Sequence, residues 1–142
     1  MRKQQFTIRI KLPSLNDYVN ACRQSPYIGA ALKKRTDAQI AGEIMAANIR
    51  RISDPCIVCM VFLETDKRRD VDNVESARKY ILDALVGTGI LLDDSPRYVV
   101  GAPSFTEYTT DQAGVVITLI EDADRGKLRE RLRGGMDKIR EG

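Results

Sequence analysis

The chain has no histidine and no tryptophan. The missing histidine removes several chemistries together. Ser-His-Asp and Cys-His catalysis, histidine-ligated zinc and the H-E-x-x-H metalloprotease motif all need an imidazole. An enzyme built from these residues has carboxylates, lysines or metal-bound water as its acids and bases. Cysteine is scarce as well. Cys22, Cys56 and Cys59 make an odd number, which in a cytosolic setting argues against a disulfide framework. Cys56 and Cys59 have C-x-x-C spacing, but they stand inside "CIVCMVFL", an apolar run that reads as a buried strand. Zinc would need two further nitrogen or sulfur ligands that the chain hardly has, so core cysteines are expected. No apolar stretch reaches the ~18 residues of a membrane span. "MRKQQFTIRI" lacks an apolar signal-peptide segment and a small-residue cleavage site, so the expected location is cytoplasmic.

What is present is ordinary in amount and uneven in placement. The 142 residues suit a single domain, with 43% apolar and 30% charged residues and a net charge of +3. So mild a charge permits nucleic-acid binding without requiring it. The basic residues cluster at Lys33–Arg35, at Lys67–Arg69 and along Arg125–Arg140.

Periodicity predicts a strand over Phe6–Leu12, then an irregular loop through "PSLNDYVNACRQSPYIG". A helix is predicted over Thr36–Ile52, with the first basic cluster near its beginning and Asp54-Pro55 breaking it. Cys56–Leu63 reads as the central strand. Val74, Ala77, Ile81, Leu82 and Leu85 recur at helical spacing within Asn73–Val86, and Gly87 and Gly89 end that element. Two more strands are expected over Tyr98–Tyr108 and Val115–Ile120. The expected fold is an α/β or α+β domain over residues 1–123, with a mixed sheet of about four strands and two main helices. Residues 124–142 read as a charged short helix followed by a loose tail.

The stretch "KRRDVDNVESARKYILDAL", Lys67–Leu85, carries the chemistry. Asp70 and Asp72 lie between the central strand and the next helix, and residues two apart in an extended segment point to one side. Paired carboxylates suit magnesium, which commonly takes one or two of them and completes its shell with water and phosphate. Asp and Asn are also ordinary turn and cap residues, so the motif by itself has a structural explanation too. A second acidic pair, Asp93-Asp94, follows "GTGILL". The helix between the two pairs, at roughly 14 residues, is about 21 Å long, so they meet only if "GILL" doubles the chain back.

"RRDVDN", "LDAL" and "GILLDD" in that order resemble the RusA family of endodeoxyribonucleases, Holliday junction resolvases of phages and prophages. "LPSLNDY", Leu12–Tyr18, resembles that family's N-terminal pattern, and the resemblance spans about Ile8 to Ile120. It implies a RusA-like fold, with Asp70, Asp72 and Asp94 as ligands of Mg²⁺ or Mn²⁺ and Asp94 folded back to the first pair. The family's catalytic lysine follows its Asn by three positions, where this chain has Ser76. Counted back from "LDAL", it matches Lys79, as though three residues were inserted near the helix start. On one continuous helix from Asp72, Lys79 would lie about 10 Å further along the axis. The structural alternative for Lys79 is a surface pair with Glu75.

The implied activity is Mg²⁺-dependent hydrolysis of phosphodiester bonds in branched DNA, resolving four-way junctions in recombination and repair. A junction presents two symmetric scissile strands, so a homodimer is expected. Lys79 would stabilise the transition state. Lys67, Arg68, Arg69, Lys33 and Lys34 would grip neighbouring phosphates, unless they are simply solvated. Asn73 caps the helix or touches DNA. Asn16 and Tyr18 stand beside the site or serve as a turn residue and a packed aromatic. Two other classes remain: a non-catalytic branched-DNA-binding protein with a degraded site, and a nucleotidyl- or glycosyl-transferring enzyme using D-x-D, for which no glycine-rich phosphate loop is present.

Overall fold

The computed structural model describes residues 1–141, with side chains described for residues 1–135. The chain runs β1 (Arg2–Ile8), α1 (Leu15–Gln24), α2 (Pro26–Ala46), β2 (Cys56–Glu64), α3 (Val71–Glu75), α4 (Arg78–Gly87), β3 (Val99–Gly101), β4 (Ser104–Tyr108), β5 (Gly114–Glu121) and α5 (Arg125–Glu141). It is a single α+β domain with a mixed sheet. β5 pairs antiparallel with β1 on one side and β2 on the other, and β2 pairs parallel with β3 and β4. β2 is therefore internal, as its apolar run requires.

Alternation decides which face each strand residue buries. Phe6 pairs with Ile117 and Ile117 with Met60, while Ile8 pairs with Val115 and Val115 with Phe62. These rows point to the face covered by Ile40 and Ile44 of α2 and by Ile81 and Leu85 of α4, all at 1% exposure or less. Each such aliphatic side chain contributes about 1.5–3 kcal/mol on burial. The opposite face is covered over a smaller area, where Leu128 of α5 closes over Ile57 and Ile120.

Several boundaries differ from those read in the sequence, each for a local reason. β1 begins at Arg2 and stops at Ile8 because its partner β5 runs only from Gly114 to Glu121. The expected loop after it holds α1. Ser14 Oγ accepts the Asp17 N–H at 3.1 Å and Asp17 accepts the Ser14 N–H at 2.9 Å, a reciprocal capping box in which Asp takes the place of Glu. α2 starts at Pro26, capped by Ser25, and stops at Ala46, ahead of Asn48 with its positive φ of 53°. The basic cluster Lys33–Arg35 thus lies inside α2 rather than near its beginning. Pro103 divides the expected Tyr98–Tyr108 strand into β3 and β4, both on β2. α5 runs through Gly134-Gly135 to Glu141, where a loose tail was expected. Among the described residues no helix is long and apolar enough to cross a membrane.

Candidate functional site

The expected single helix over Asn73–Val86 is two helices. Val74, Ala77, Ile81 and Leu85 stay on the buried side throughout, so the apolar period is unbroken. The backbone ladder is not. Ala77 N–H turns to the Val74 carbonyl at 3.2 Å, and Tyr80 N–H to the Ala77 carbonyl at 3.0 Å. Ser76 Oγ donates back to the Asn73 carbonyl at 2.7 Å, the local competition that ends helices at serine. The residues that looked inserted therefore form one short turn and a break. The break leaves Lys79 in the first turn of α4.

Asp70 is the N-cap position of α3, with extended backbone, yet its side chain makes no capping bond. Its carboxylate and that of Asp72 are both exposed. Asn73 instead turns away: its Oδ1 accepts the Asn16 N–H at 3.0 Å. That bond satisfies a second free donor at the start of α1, next to the one taken by Ser14. Asn73 and Asn16 are thus a clasp between α1 and α3.

Asp94 folds back to Lys79 and not into a three-aspartate group with Asp70 and Asp72. Gly89, at φ 80°, makes a turn after α4 that favours glycine. Leu91 N–H bonds the Leu85 carbonyl at 3.0 Å, and the Ile90 carbonyl accepts the Ile52 N–H at 2.8 Å. The acidic turn then brings Asp94 Oδ2 to 3.6 Å from Lys79 Nζ, which also holds Asp83 at 3.0 Å. The hydrogen bond that Lys79 donates to Asp83, with the charges of Asp83 and Asp94, raises the Lys79 pKa above the usual lysine value. Lys79 pairs with Asp83 in the next turn, not with Glu75.

A cleft of about 370 Å³ opens beside these groups, lined by Asp72, Glu75, Ser76, Arg78, Lys79 and Ser104 among others. Glu75, Ser104 and Thr106 carried no sequence signal as a group. Ser104 Oγ donates to Glu75 Oε1, Thr106 Oγ1 donates to Glu75 Oε2 at 2.7 Å, and Arg78 donates to Ser104 Oγ at 3.4 Å. Together they tie α3 and α4 to β4. The only hint in the sequence was that Ser104 and Thr106 share one side of a strand.

Among the described residues, no three acidic or cysteine side chains lie close enough to hold one metal ion. The expected cage of Asp70, Asp72 and Asp94 is therefore not assembled in this arrangement, where Asp94 is held by Lys79. The cysteines are free: Cys56 is buried, and burial pushes its thiol up to about 12.

The basic clusters divide. Arg69 is only 14% exposed; its Nε meets Glu64 at 2.9 Å, and its Nη1 meets the Leu12 carbonyl at 3.1 Å and Asp17 at 3.6 Å. That guanidinium is engaged inside the protein, which corrects its expected use as a phosphate grip. Arg68 is 89% exposed, and Lys67 lies over the Tyr108 ring at 5.2 Å. Lys33 pairs with Asp37 at 3.0 Å, and Lys34 is exposed on α2.

No protein-family model matches the chain, and no curated protein matches it. The RusA resemblance rests on the quoted motifs alone.

Proposed function

We propose that this protein is a Mg²⁺-dependent endodeoxyribonuclease for branched DNA of the RusA kind, acting as a homodimer on four-way junctions. The observation that carries the reading is the return of Asp94 to Lys79, at 3.6 Å, with Lys79 lining the same cleft as Asp72. Asp72 and Lys79 line one opening, and Asp94, from the turn after α4, reaches Lys79 at its edge.

The chain's own groups have definable parts in this reading. Lys79 and Arg78 present positive charge in the cleft, where a phosphate would compete with Asp94 and Asp83 for the Lys79 ammonium. Lys79 then lies where charge develops as the phosphate is attacked, and such a preplaced cation stabilises the transition state more than the ground state. Arg68, Lys67, Lys33 and Lys34 supply sequence-independent contacts to flanking phosphates. Arg69 holds α1 to the loop after β2 and so positions Asp70 and Asp72. Magnesium commonly takes only one or two protein carboxylates, so Mg²⁺ or Mn²⁺ dependence does not require the three-aspartate cage.

The deciding experiment is cleavage of a synthetic four-way junction by the purified chain, with and without Mg²⁺. Asp70→Asn and Asp72→Asn should abolish cleavage and leave junction binding largely intact. Undiminished cleavage by Asp70→Asn would remove the D-x-D motif from the site. The dispersed carboxylates favour one second reading, a branched-DNA-binding protein without catalysis. Tight junction binding by the wild-type chain, with no cleavage in either Mg²⁺ or Mn²⁺, would select it.

A further inference from the structure

Next to the cleft lies a second depression of about 270 Å³, lined by Leu15, Tyr18, Lys33, Lys79, Tyr80 and Asp83 among others. Ser76 and Lys79 line both, so the two openings are adjacent. Their chemistry differs. The cleft is walled by charged and hydroxyl groups with Leu82, and the neighbouring slot adds two phenol rings and Leu15, which is 52% exposed, to Lys33, Lys79 and Asp83. Tyr18 comes from α1, Lys33 from α2 and Tyr80 from α4, so three helices build the slot. Tyr18 and Tyr80 both line the slot, and the Tyr80 phenol is held above its ordinary pKa by burial first and then by the Tyr18 phenol. The lysines stand on the same walls, with Lys33 on Asp37 and Lys79 on Asp83, each at 3.0 Å.

A phosphate gains nothing from an apolar, aromatic slot, whereas a nucleobase does. Every base has a π-face, and stacking on aromatic side chains is how single-stranded nucleic acid is held without hydrogen-bond readout. The volume is below the 300–1,000 Å³ typical of drug-sized pockets, which suits one base rather than a dinucleotide. The branch point of a junction is where bases are most easily unstacked. Resting on the nuclease reading for its substrate, we propose that this slot receives a single DNA base, splayed from the strand beside the phosphate in the cleft and stacked on Tyr18 and Tyr80. Lys33 and Lys79 bracket the phosphates on either side of that base, so the slot fixes which phosphodiester enters the cleft.

The test uses the full chain and four-way junctions carrying one 2-aminopurine at successive positions around the crossover, with binding measured in EDTA so that nothing is cut. One position should change fluorescence on binding. Tyr18→Leu, which keeps apolar volume and removes the ring, should abolish that signal and weaken binding about tenfold. Tyr18→Phe should retain both. An abasic site at the same position should weaken wild-type binding to a similar degree and cost Tyr18→Leu nothing further. Binding with no position-specific signal, or a Tyr18→Leu variant that behaves as wild type, overturns the slot and leaves the nuclease reading standing. A base-specific signal without cleavage in Mg²⁺ or Mn²⁺ overturns the nuclease reading and supports the slot. Failure to bind junctions at all overturns both.

Discussion

Arg69 and Lys79 come from one short stretch and looked alike in sequence, as cations placed to handle phosphate. Their surroundings differ completely. Arg69 is 14% exposed and bound to Glu64, Asp17 and the Leu12 carbonyl, while Lys79 is 72% exposed and holds two carboxylates at the edge of two adjacent openings. A cation with buried partners is part of the structure, because removing it strands a charge away from water. A cation whose partners are solvated can exchange them for a ligand at little cost. The difference lies in burial rather than in residue type.

The comparison breaks most visibly at Arg69. Arg69→Ala leaves the buried Glu64 carboxylate unpaired and should destabilise the fold by about 3 kcal/mol, lowering Tm by roughly 10 °C. A thermal melt showing Arg69→Ala as stable as wild type would return Arg69 to the list of surface cations.

Cys56 tests burial as the controlling variable on a different group. Its thiol is raised from 9.0 to about 12 by burial, with the Glu121 carboxylate adding to the effect. The unfolded thiol ionises above pH 9.0 while the folded one stays neutral. Its contribution is therefore complete below that pH and is lost as pH rises toward 12, by at most about 1.4 kcal/mol per pH unit. Denaturant titrations at pH 8, 9 and 10 should show a shallower decline for Cys56→Val than for wild type.

Gly89→Ala forces a side chain onto a residue at φ 80° and should cost about 1 kcal/mol, while Gly87→Ala, with open space around it, should be neutral or better. Because Gly89 begins the return of Asp94, its variant should also lose junction cleavage. Cleavage unchanged in Gly89→Ala would detach that turn from the site.

The smallest stability effect belongs to Lys79. Lys79→Ala should change Tm by no more than a degree or two, since Lys79 is exposed and its partners Asp83 and Asp94 are only half-buried. On the proposed function it should lower junction cleavage by about 100-fold or more. The raised Lys79 pKa places any pH effect of these pairs above the ordinary lysine range: the contribution is present below it and lost as pH climbs through the raised value.

Strand alternation and helical period made the central strand, the β5 strand and the buried line Val74–Ala77–Ile81–Leu85 legible from residue order. The same period hid the break at Ser76, because a break that keeps the apolar side aligned leaves no trace in hydrophobicity. α1 was missed because a stretch rich in Pro, Ser, Asn and Asp reads as a loop; the Ser14–Asp17 box that starts the helix uses those same residues. Within the candidate site, the D-x-D pair and the lysine register were readable as motifs. The grouping of Glu75 with Ser104 and Thr106 was not, since only parallel pairing of β4 with β2 brings those hydroxyls under α3.

Residue order by itself determined the chemical repertoire. Without histidine, acid–base chemistry is left to carboxylates, lysines and metal-bound water, and the apolar spacing dictated a mixed α/β packing. Tertiary structure alone decided which charges are spent. Whether a charge is spent depends on its solvation and on partners distant in sequence. Both are set by how α1, the loop after β2 and the turn at Gly89 come together: Arg69 closed inside, Asn73 turned to clasp α1, Asp94 brought to Lys79, and Lys79 left facing an open cleft.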